Sequence, residues 1–564
     1  MIRRVRGVKT HIFLNQVGYL PDRPKIAAVV GTAKSFSVCS KDTGEAVLAG
    51  TLSPGRPDAA SGDTVLQADF SALTRPGQYY LRAGSKKSPP FSIGSDIYEP
   101  VRRGLLKSYY LNRCGTDLPR PHAGAYARKK CHMELAALFS DPQRSMDVRG
   151  GWHDGGEYGR SVYSGALSLG FLLYAGLLFP ESFGADLTLP ESGNGVPDLF
   201  NECRYELEWL LKMQDKDGGL YSKAETATTL RNARPSDCHD RIFVHGKTPD
   251  ATAAFAAVAA LASRAFRPLD TIFSNRLKSA AERAWIWVLN YAARSQSKTA
   301  ASRSREGYDD LLFWASAEMY RLTGEAGFHR SVLEMYEKVD TTSFTWNSAG
   351  GFGSLAYIFS PCAEERFLIP DKELQEALKA AFMYRADNLT SMARHSGYNT
   401  AKPGNLYLWG SNMDIMAGAV TLLLAAKLSS EPEYENTALE QLHYVLGKNP
   451  MGISYITGFG TKSCLHPCHL LSTADGIDLP VPGLLVGGPD MRRSDEYSKW
   501  LVPKGTPPAK CYVDREYCFS ANEASICWNA PAVFAFGFFV HSKAKEAEDS
   551  DRRICLEPAG NFIP

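Results

Sequence analysis

Two carboxylates lie three residues apart in the stretch GGWHDGGEYGRS, residues 150–161, among glycines and beside a histidine and a tryptophan. Hydrolysis of a glycosidic bond takes two carboxyl groups, one protonating the departing oxygen and the other activating water or attacking the sugar. Asp154 and Glu157 suit the water-activating side, and the glycines around them let a sugar ring approach the backbone closely. The partner acid is expected in FSANEASICWNAPAVF, where Glu523 stands just before an apolar helical run. Its neighbours are Asn, Trp and small residues, surroundings that raise a carboxyl pKa. The same D-G-G-E tetrapeptide also fits an ordinary solvated turn.

A second set of residues has metal-binding chemistry. Cys114 in LNRCG, Cys131 and His132 in KKCHMEL, and His153 in GGWHDGG supply two thiols and two imidazoles, the donor set of a tetrahedral structural zinc site. The spacing is not that of a zinc finger, and buried thiols with an ordinary histidine are the alternative. Bound zinc would hold His153 and so fix the backbone of Asp154. Four protein ligands leave no open position for water, so such a metal positions the loop and is not a Lewis acid. The other cysteines (39, 203, 238, 362, 464, 468, 511, 518, 527 and 555) form no dense framework. They read mostly as reduced thiols, with Cys464–Cys468 and Cys511–Cys518 pairings open.

The elements that must position these groups fall into two kinds. KIAAVVG, SFSVCS, AVLAGTL, TVLQADF and GQYYLRA are short β-branched and aromatic runs separated by Gly, Pro, Asp and Ser. They predict a small antiparallel β-sandwich over residues 11–96, after an extension of residues 1–10. From residue 97 to 545 the character is helical: 250–266, 309–324, 411–430 and 436–449 are Ala/Leu-rich with helical spacing, several ending at Gly or at Asn before Pro. Long Gly/Pro/aromatic stretches, 346–357 and 457–490, read as functional loops. Many helices in one large domain favour an all-α toroid or bundle, followed by a tail over 546–564.

Composition narrows the partners. With 63 basic against 61 acidic residues the formal charge is only +2, which argues against nucleic acid and anionic membranes as partners. No run of about 18 uncharged apolar residues predicts a membrane span. The start, MIRRVRGVKTHIFLNQVGYL, lacks the apolar core of a signal peptide, so a cytoplasmic protein is expected, or a secreted one whose leader has been removed. A monomer is expected. Trp152, Trp314, Trp346, Trp409 and Trp528 sit in or beside Gly-rich stretches where rings can stack on sugars or pack in the core. Trp409 and Trp528 are the best candidates for a cleft.

Several motifs together resemble glycoside hydrolase family 9. IFLNQVGYLPDRPKIAAV resembles the start of the immunoglobulin-like module that precedes many of its catalytic domains, and DVRGGWHDGGEYGRSV resembles the family's catalytic-base motif. LPESGNGVPDLFNECRYELEWLLKMQDKDGGLY, LWGSNMDIMAGA, YVLGKNPMGISYITGFG, PVPGLLVGGPD and NEASICWNAP follow in the family's order, covering nearly the whole chain. The resemblance implies an N-terminal immunoglobulin-like sandwich and an (α/α)6 barrel with an open cleft. It also implies endo-acting, inverting hydrolysis of β-1,4-glucosidic bonds in cellulose-type glucans or cellodextrins. By position Glu157 is the base, Asp154 helps hold the water, Glu523 is the proton donor, and Cys114, Cys131, His132 and His153 bind structural zinc.

Three departures from the family pattern stand out. Glu157 replaces the usual Asp. HPCHLL, 466–471, replaces a motif richer in His and Arg; His466 and His469 remain as substrate-binding candidates, while Cys468 and Leu470 stand where the family has His and Arg. REGYDDLLFW, 305–314, resembles a calcium-binding stretch, but Leu311 replaces an acidic ligand, so Asp309 and Asp310 also read as a helix start. An exo-acting relative, a β-glucosidase or exo-β-glucosaminidase, is the second enzyme reading. A carbohydrate-binding pseudoenzyme, its base spoiled by the Asp-to-Glu change, is the third.

Overall fold

The computed structural model describes residues 9–184, 186–227, 233–296, 307–359 and 371–540. The expected tail, most of the N-terminal extension, Cys362, Cys555 and Glu306 lie outside these residues. Ten strands open the chain: β1 His11–Phe13, β2 Gly18–Tyr19, β3 Ile26–Val30, β4 Ser35–Ser40, β5 Ala46–Thr51, β6 Arg56–Asp58, β7 Asp63–Asp69, β8 Gly77–Ala83, β9 Lys86–Lys87 and β10 Phe91–Ile93. They form two sheets, β1-β3-β7-β6 and β2-β10-β8-β4-β5, with β9 alongside β8. Pairing is antiparallel except between β2 and β10. Residues at every second position face inward, and Val38, Phe70, Leu81 and Phe91 form the core between the sheets.

Twelve helices of nine or more residues follow among the described residues: α1 Glu99–Leu111, α2 Val162–Leu178, α3 Asp198–Met213, α4 Pro249–Phe266, α5 Thr271–Gln296, α6 Asp309–Thr323, α7 Ala326–Met335, α8 Gly350–Ile358, α9 Lys372–His395, α10 Ser411–Ser429, α11 Pro432–Val445 and α12 Ile526–Phe539. Even-numbered helices are mostly buried and form an inner set. α2, α4, α6 and α8 pack in series, and α12 packs against both α2 and α10. Odd-numbered helices such as α3, DLFNECRYELEWLLKM, are amphipathic and lie outside, one stripe against the inner set. This alternation is that of an (α/α)6 barrel. α10 is long and apolar enough to cross a membrane, which the sequence did not lead one to expect; its length is mostly buried inside the barrel.

Two local expectations change. The stretch 346–357 is not a loop but contains α8. A Cβ at Gly351 would lie 2.5 Å from the Phe344 ring, and one at Gly353 2.5 Å from Phe313. The glycines that lower helix propensity are the ones that let α8 enter the crowded core, so packing overrides propensity. α11 begins at Pro432 and stops at Val445, four residues before the expected end, because Gly447 turns with φ +121°.

A third sheet lies beside the 150–161 loop: β11 Ala136–Leu138, β12 Asp141–Met146, β13 Arg160–Ser161, β14 Lys223–Thr226 and β15 Ile242–Val244. Its order is β12-β11-β15-β14-β13. β13 therefore carries the loop from the sheet directly into α2.

Candidate active site

The 150–161 loop is held from below by α3. Glu202 accepts a hydrogen bond from Trp152 Nε1 at 2.8 Å, and Glu206 accepts one from the Trp152 backbone N–H at 2.7 Å. Glu202 is also paired with the buried Arg113 at 2.9 Å, which compensates its charge. Trp152 itself is fully buried against Tyr109. A buried ring with both N–H groups satisfied makes a rigid base for the two residues that follow.

Those residues are held just as closely. His153 N–H donates to Asn112 O, and Asp154 N–H donates to Gly159 O, both at 2.9 Å, closing a tight turn with Glu157 near its tip. Gly155 and Gly156 have φ of +68° and +77°, a region that side chains disfavour. A Cβ on Gly156 would lie 2.2 Å from Cys468 O, and one on Gly155 2.9 Å from Glu523 Oε1. The turn is thus pressed against the segments that carry Cys468 and Glu523, and Leu470 N–H donates to Gly156 O at 2.8 Å.

Asp154 points at the N-terminus of α12. Its Oδ1 accepts from Ser525 Oγ–H at 2.6 Å and from Ile526 N–H at 3.1 Å. Ser525 is the N-cap residue of α12 but makes no capping bond of its own. Asp154 fills that role, and the helix end stabilises its negative charge.

Glu523 is held differently. Its backbone is pinned by Phe519 O, which takes the Glu523 N–H, and by Gly487 N–H, which donates to Glu523 O, each at 3.0 Å. Its Oε2 accepts from Trp409 Nε1 at 2.8 Å. Burial, and next the nearby Asp154 charge, push its pKa up to about 8, against a small lowering by Trp409. At neutral pH it is therefore mostly a carboxylic acid. Because Oε2 accepts the indole N–H, Oε1 is the oxygen left to carry the proton, on the side of Gly155 and the turn.

A cleft of about 240 Å³ joins these groups; Gly155, Gly156, Glu157, Trp409, Cys468, His469, Leu470, Phe519 and Glu523 line it. Of the expected substrate contacts, Trp409 forms part of the wall. His469 reaches the wall but is spent on structure: its Nε2 meets Asn112 Oδ1 at 2.9 Å and its Nδ1 meets Ser472 Oγ at 2.8 Å. Burial pushes its pKa down to about 3, so it is neutral. His466 is exposed, and its backbone N–H, not its ring, is anchored by Asp514. Trp528 is buried in α12, packed under Gly410 and Gly487 beneath the wall. Trp152 and Trp314 are core, and Trp346 is exposed and is not among the lining residues. Sequence reasoning missed Ser525, Ile526 and Asn112. For the first two, a helix start directly after the acid was the available signal.

The metal-binding candidates converge. Donor atoms of Cys114, Cys131, His132 and His153 all lie within 4.8 Å of one another, and all four residues are buried. Cys114 Sγ is 3.6 Å from His132 Nδ1, and Cys131 Sγ is 3.5 Å from His153 Nε2. A tetrahedron with bonds of about 2.0–2.3 Å has edges of roughly this length. His153 Nδ1 lies 3.0 Å from Tyr158 O and donates to it, leaving Nε2 free to bind a metal. The donors fit the group. No such convergence forms at Asp309 and Asp310 among the described residues. Asp310 instead accepts the Ala349 backbone N–H at 2.6 Å. Neither the Cys464–Cys468 nor the Cys511–Cys518 disulfide forms.

Known proteins resemble the chain over nearly its whole length. The profile described as glycosyl hydrolase family 9 matches residues 98–536, and that of the cellulase N-terminal ig-like domain matches residues 8–88. A cellodextrinase from Butyrivibrio fibrisolvens is 32% identical over 549 residues, 93% of this chain and 98% of the relative. Endoglucanase D from Acetivibrio thermocellus is 30% identical over 556 residues, 96% of this chain and 85% of the relative. The structure of a single-mutant thermostable endoglucanase from Alicyclobacillus acidocaldarius superposes with a TM-score of 0.86 at 29% identity, covering 94% of this chain and 99% of that one. With an immunoglobulin-like sandwich ahead of an (α/α)6 barrel, and a match running through both, the chain belongs to glycosyl hydrolase family 9 and is a glycoside hydrolase.

Proposed function

We propose that the protein is an endo-acting β-1,4-glucanase, cleaving cellulose-type glucans or cellodextrins with inversion. The observation that carries this is the convergence of Glu157 and a protonated, half-buried Glu523 on one cleft, with Asp154 at the foot of the same turn as Glu157. Glu523 donates its proton to the departing glycosidic oxygen. Glu157, on the opposing turn, takes a proton from the attacking water, and Asp154, itself held by the Ile526 N–H at the start of α12, helps hold that water. Inversion requires the acid and base to stand roughly 6.5–9.5 Å apart, with room for water between them. Trp409 orients the acid and offers a ring face at the same wall.

The Cys114, Cys131, His132 and His153 set would hold one zinc ion. Thiolate and imidazole donors suit zinc and not calcium, which takes oxygen ligands. Bound there, it supplies structural cross-linking only, since four protein ligands close the site. The chain's own contribution is to tie the His153 end of the turn to the 114 and 131 segments.

Two assays test the reading. Glu523→Gln and Glu157→Ala should each lower turnover of cellohexaose by at least a thousandfold while leaving oligosaccharide binding; activity retained in both would refute the assignment. Endo action should lower carboxymethylcellulose viscosity quickly relative to reducing-end release. Monosaccharide as the sole product would instead assign exo action.

A further inference from the structure

Each histidine of the Cys114, Cys131, His132 and His153 set offers one ring nitrogen to a metal and has a second nitrogen to satisfy. Metal-bound histidines almost always donate that second N–H to a nearby acceptor, which fixes the ring and raises the basicity of the ligating nitrogen. His153 does so from Nδ1 to Tyr158 O at 3.0 Å. His132 faces Cys114 Sγ through Nδ1 at 3.6 Å. Its Nε2 is buried and has no hydrogen-bond partner of ordinary geometry among the described residues. The residue is 4% exposed, and its φ of +51° is a left-handed conformation uncommon outside glycine. Such backbone positions persist where the surroundings over-determine them. Cys238 stands beside this ring: its side chain is buried, and its thiol interacts with that of His132. It lies outside the group of donors that converge within 4.8 Å, so it adjoins the quartet without belonging to it.

We propose that Cys238 is a positioning residue for the metal site: its Sγ accepts the Nε2–H of His132 and holds the ring with Nδ1 toward the ion. The inference rests on the zinc reading of the quartet. Sulfur is a weak acceptor, but a buried N–H left without any partner carries the full cost of its desolvation. The same residue links the metal site to the cleft. Cys238 packs with Tyr158 and Leu471, and Leu470 of the cleft wall lies against that cluster. The Tyr158 ring is 5.5 Å from the His132 ring and 5.2 Å from the His153 ring. Its OH donates to Ala233 O at 2.6 Å, five residues before Cys238. One segment, residues 233–238, therefore braces both a metal ligand and the residue that follows Glu157.

The test is zinc affinity, measured by competition with a chromogenic chelator on the full chain, for the wild type and three variants at this position. Cys238→Val fills the space without an acceptor and Cys238→Ala removes the thiol outright; each should bind zinc about 10- to 100-fold more weakly. Cys238→Ser restores an acceptor and should recover most of that loss. With Co(II) in place of zinc, the thiolate charge-transfer bands should be those of two cysteines and equal in the wild type and Cys238→Val. Unchanged affinity in Cys238→Val, or the same loss in Cys238→Val and Cys238→Ser, overturns the proposal by leaving Cys238 a packing residue. A weaker thiolate band in Cys238→Val overturns it by making Cys238 a ligand. Wild-type protein that binds neither zinc nor cobalt overturns the zinc reading itself and the proposal with it.

Discussion

Glu523 occupies a position that destabilises the protein. Its pKa is raised to about 8 by burial and by Asp154, so between its ordinary value near 4.5 and about 8 the native state holds a proton that the unfolded state has released. With more protons bound in the native state, stability falls as pH rises through that window. Glu523→Gln removes the ionisable group, so its melting temperature should exceed that of the wild type by more at pH 8 than at pH 4; equal differences at the two pH values would contradict the raised pKa. Activity should follow the same group, with kcat/KM falling as pH rises past about 8. Glu157 makes the complementary case. The turn around it is built to a tight tolerance by Gly155, Gly156 and the Asp154–Gly159 bond. Shortening the side chain withdraws the carboxylate by about 1 Å, and a shift of that size costs rate heavily. Glu157→Asp should therefore lower kcat on cellohexaose at least tenfold, despite restoring the residue the family pattern favours. Asp154, Glu157 and Glu523 stand out in the sequence as acids among glycines and apolar residues, and the structure brings Glu157 and Glu523 to one cleft. The Asp154 cradle was not legible there, since it depends on where α12 begins in space.

The segments flanking the acids set their geometry. Gly156 contacts Cys468 O closely enough that alanine cannot fit, and its φ is left-handed. Gly156→Ala should cost about 1–3 kcal/mol and displace the turn, so melting temperature and kcat should fall together. Trp409, at the turn into α10, contributes its N–H to the acid. Trp409→Phe keeps the ring but loses the donor, which stabilises the ionised form, so the alkaline limb of kcat/KM should move upward while kcat falls; an unmoved limb would deny the hydrogen bond a role. At this level the sequence was only partly readable. Trp409 and Trp528 looked alike beside glycines, yet Trp409 stands in the wall, in the turn ahead of α10, while Trp528 lies within α12 and is buried beneath it. His466 and His469 likewise separate into an exposed residue and a buried strut. α8 was hidden because its glycines speak for a loop until the crowded core explains them.

Sandwich and barrel are joined through polar and aromatic contacts. Tyr98 donates from its OH to Gly18 O at 3.1 Å, Asn15 Nδ2 donates to Tyr98 OH at 3.2 Å, and the Tyr19 ring packs 4.7 Å from His443. On another side Ala509 N–H donates to Ala60 O at 2.8 Å, and Lys510 pairs with Asp63 at 2.7 Å. Ala509 and Lys510 lie on the strip that ends at Glu523, so the sandwich braces the acid from a distance. Removing residues 1–94 should expose this buried face, lowering both soluble yield and melting temperature. Metal analysis should find about one zinc per chain, and chelation should lower melting temperature as well as activity; protein without zinc whose stability ignores chelators would refute the quartet's role. The two-domain plan was legible from alternation and helical spacing. The bracing was not, because it joins residues more than 400 positions apart.

The decisive comparison is Glu523→Gln acting on cellohexaose and on 2,4-dinitrophenyl β-cellobioside, whose leaving group departs without a proton. If Glu523 is the proton donor, the variant should lose at least a thousandfold on cellohexaose but no more than about tenfold on the dinitrophenyl substrate. Equal losses on the two substrates, or none on either, would contradict that role.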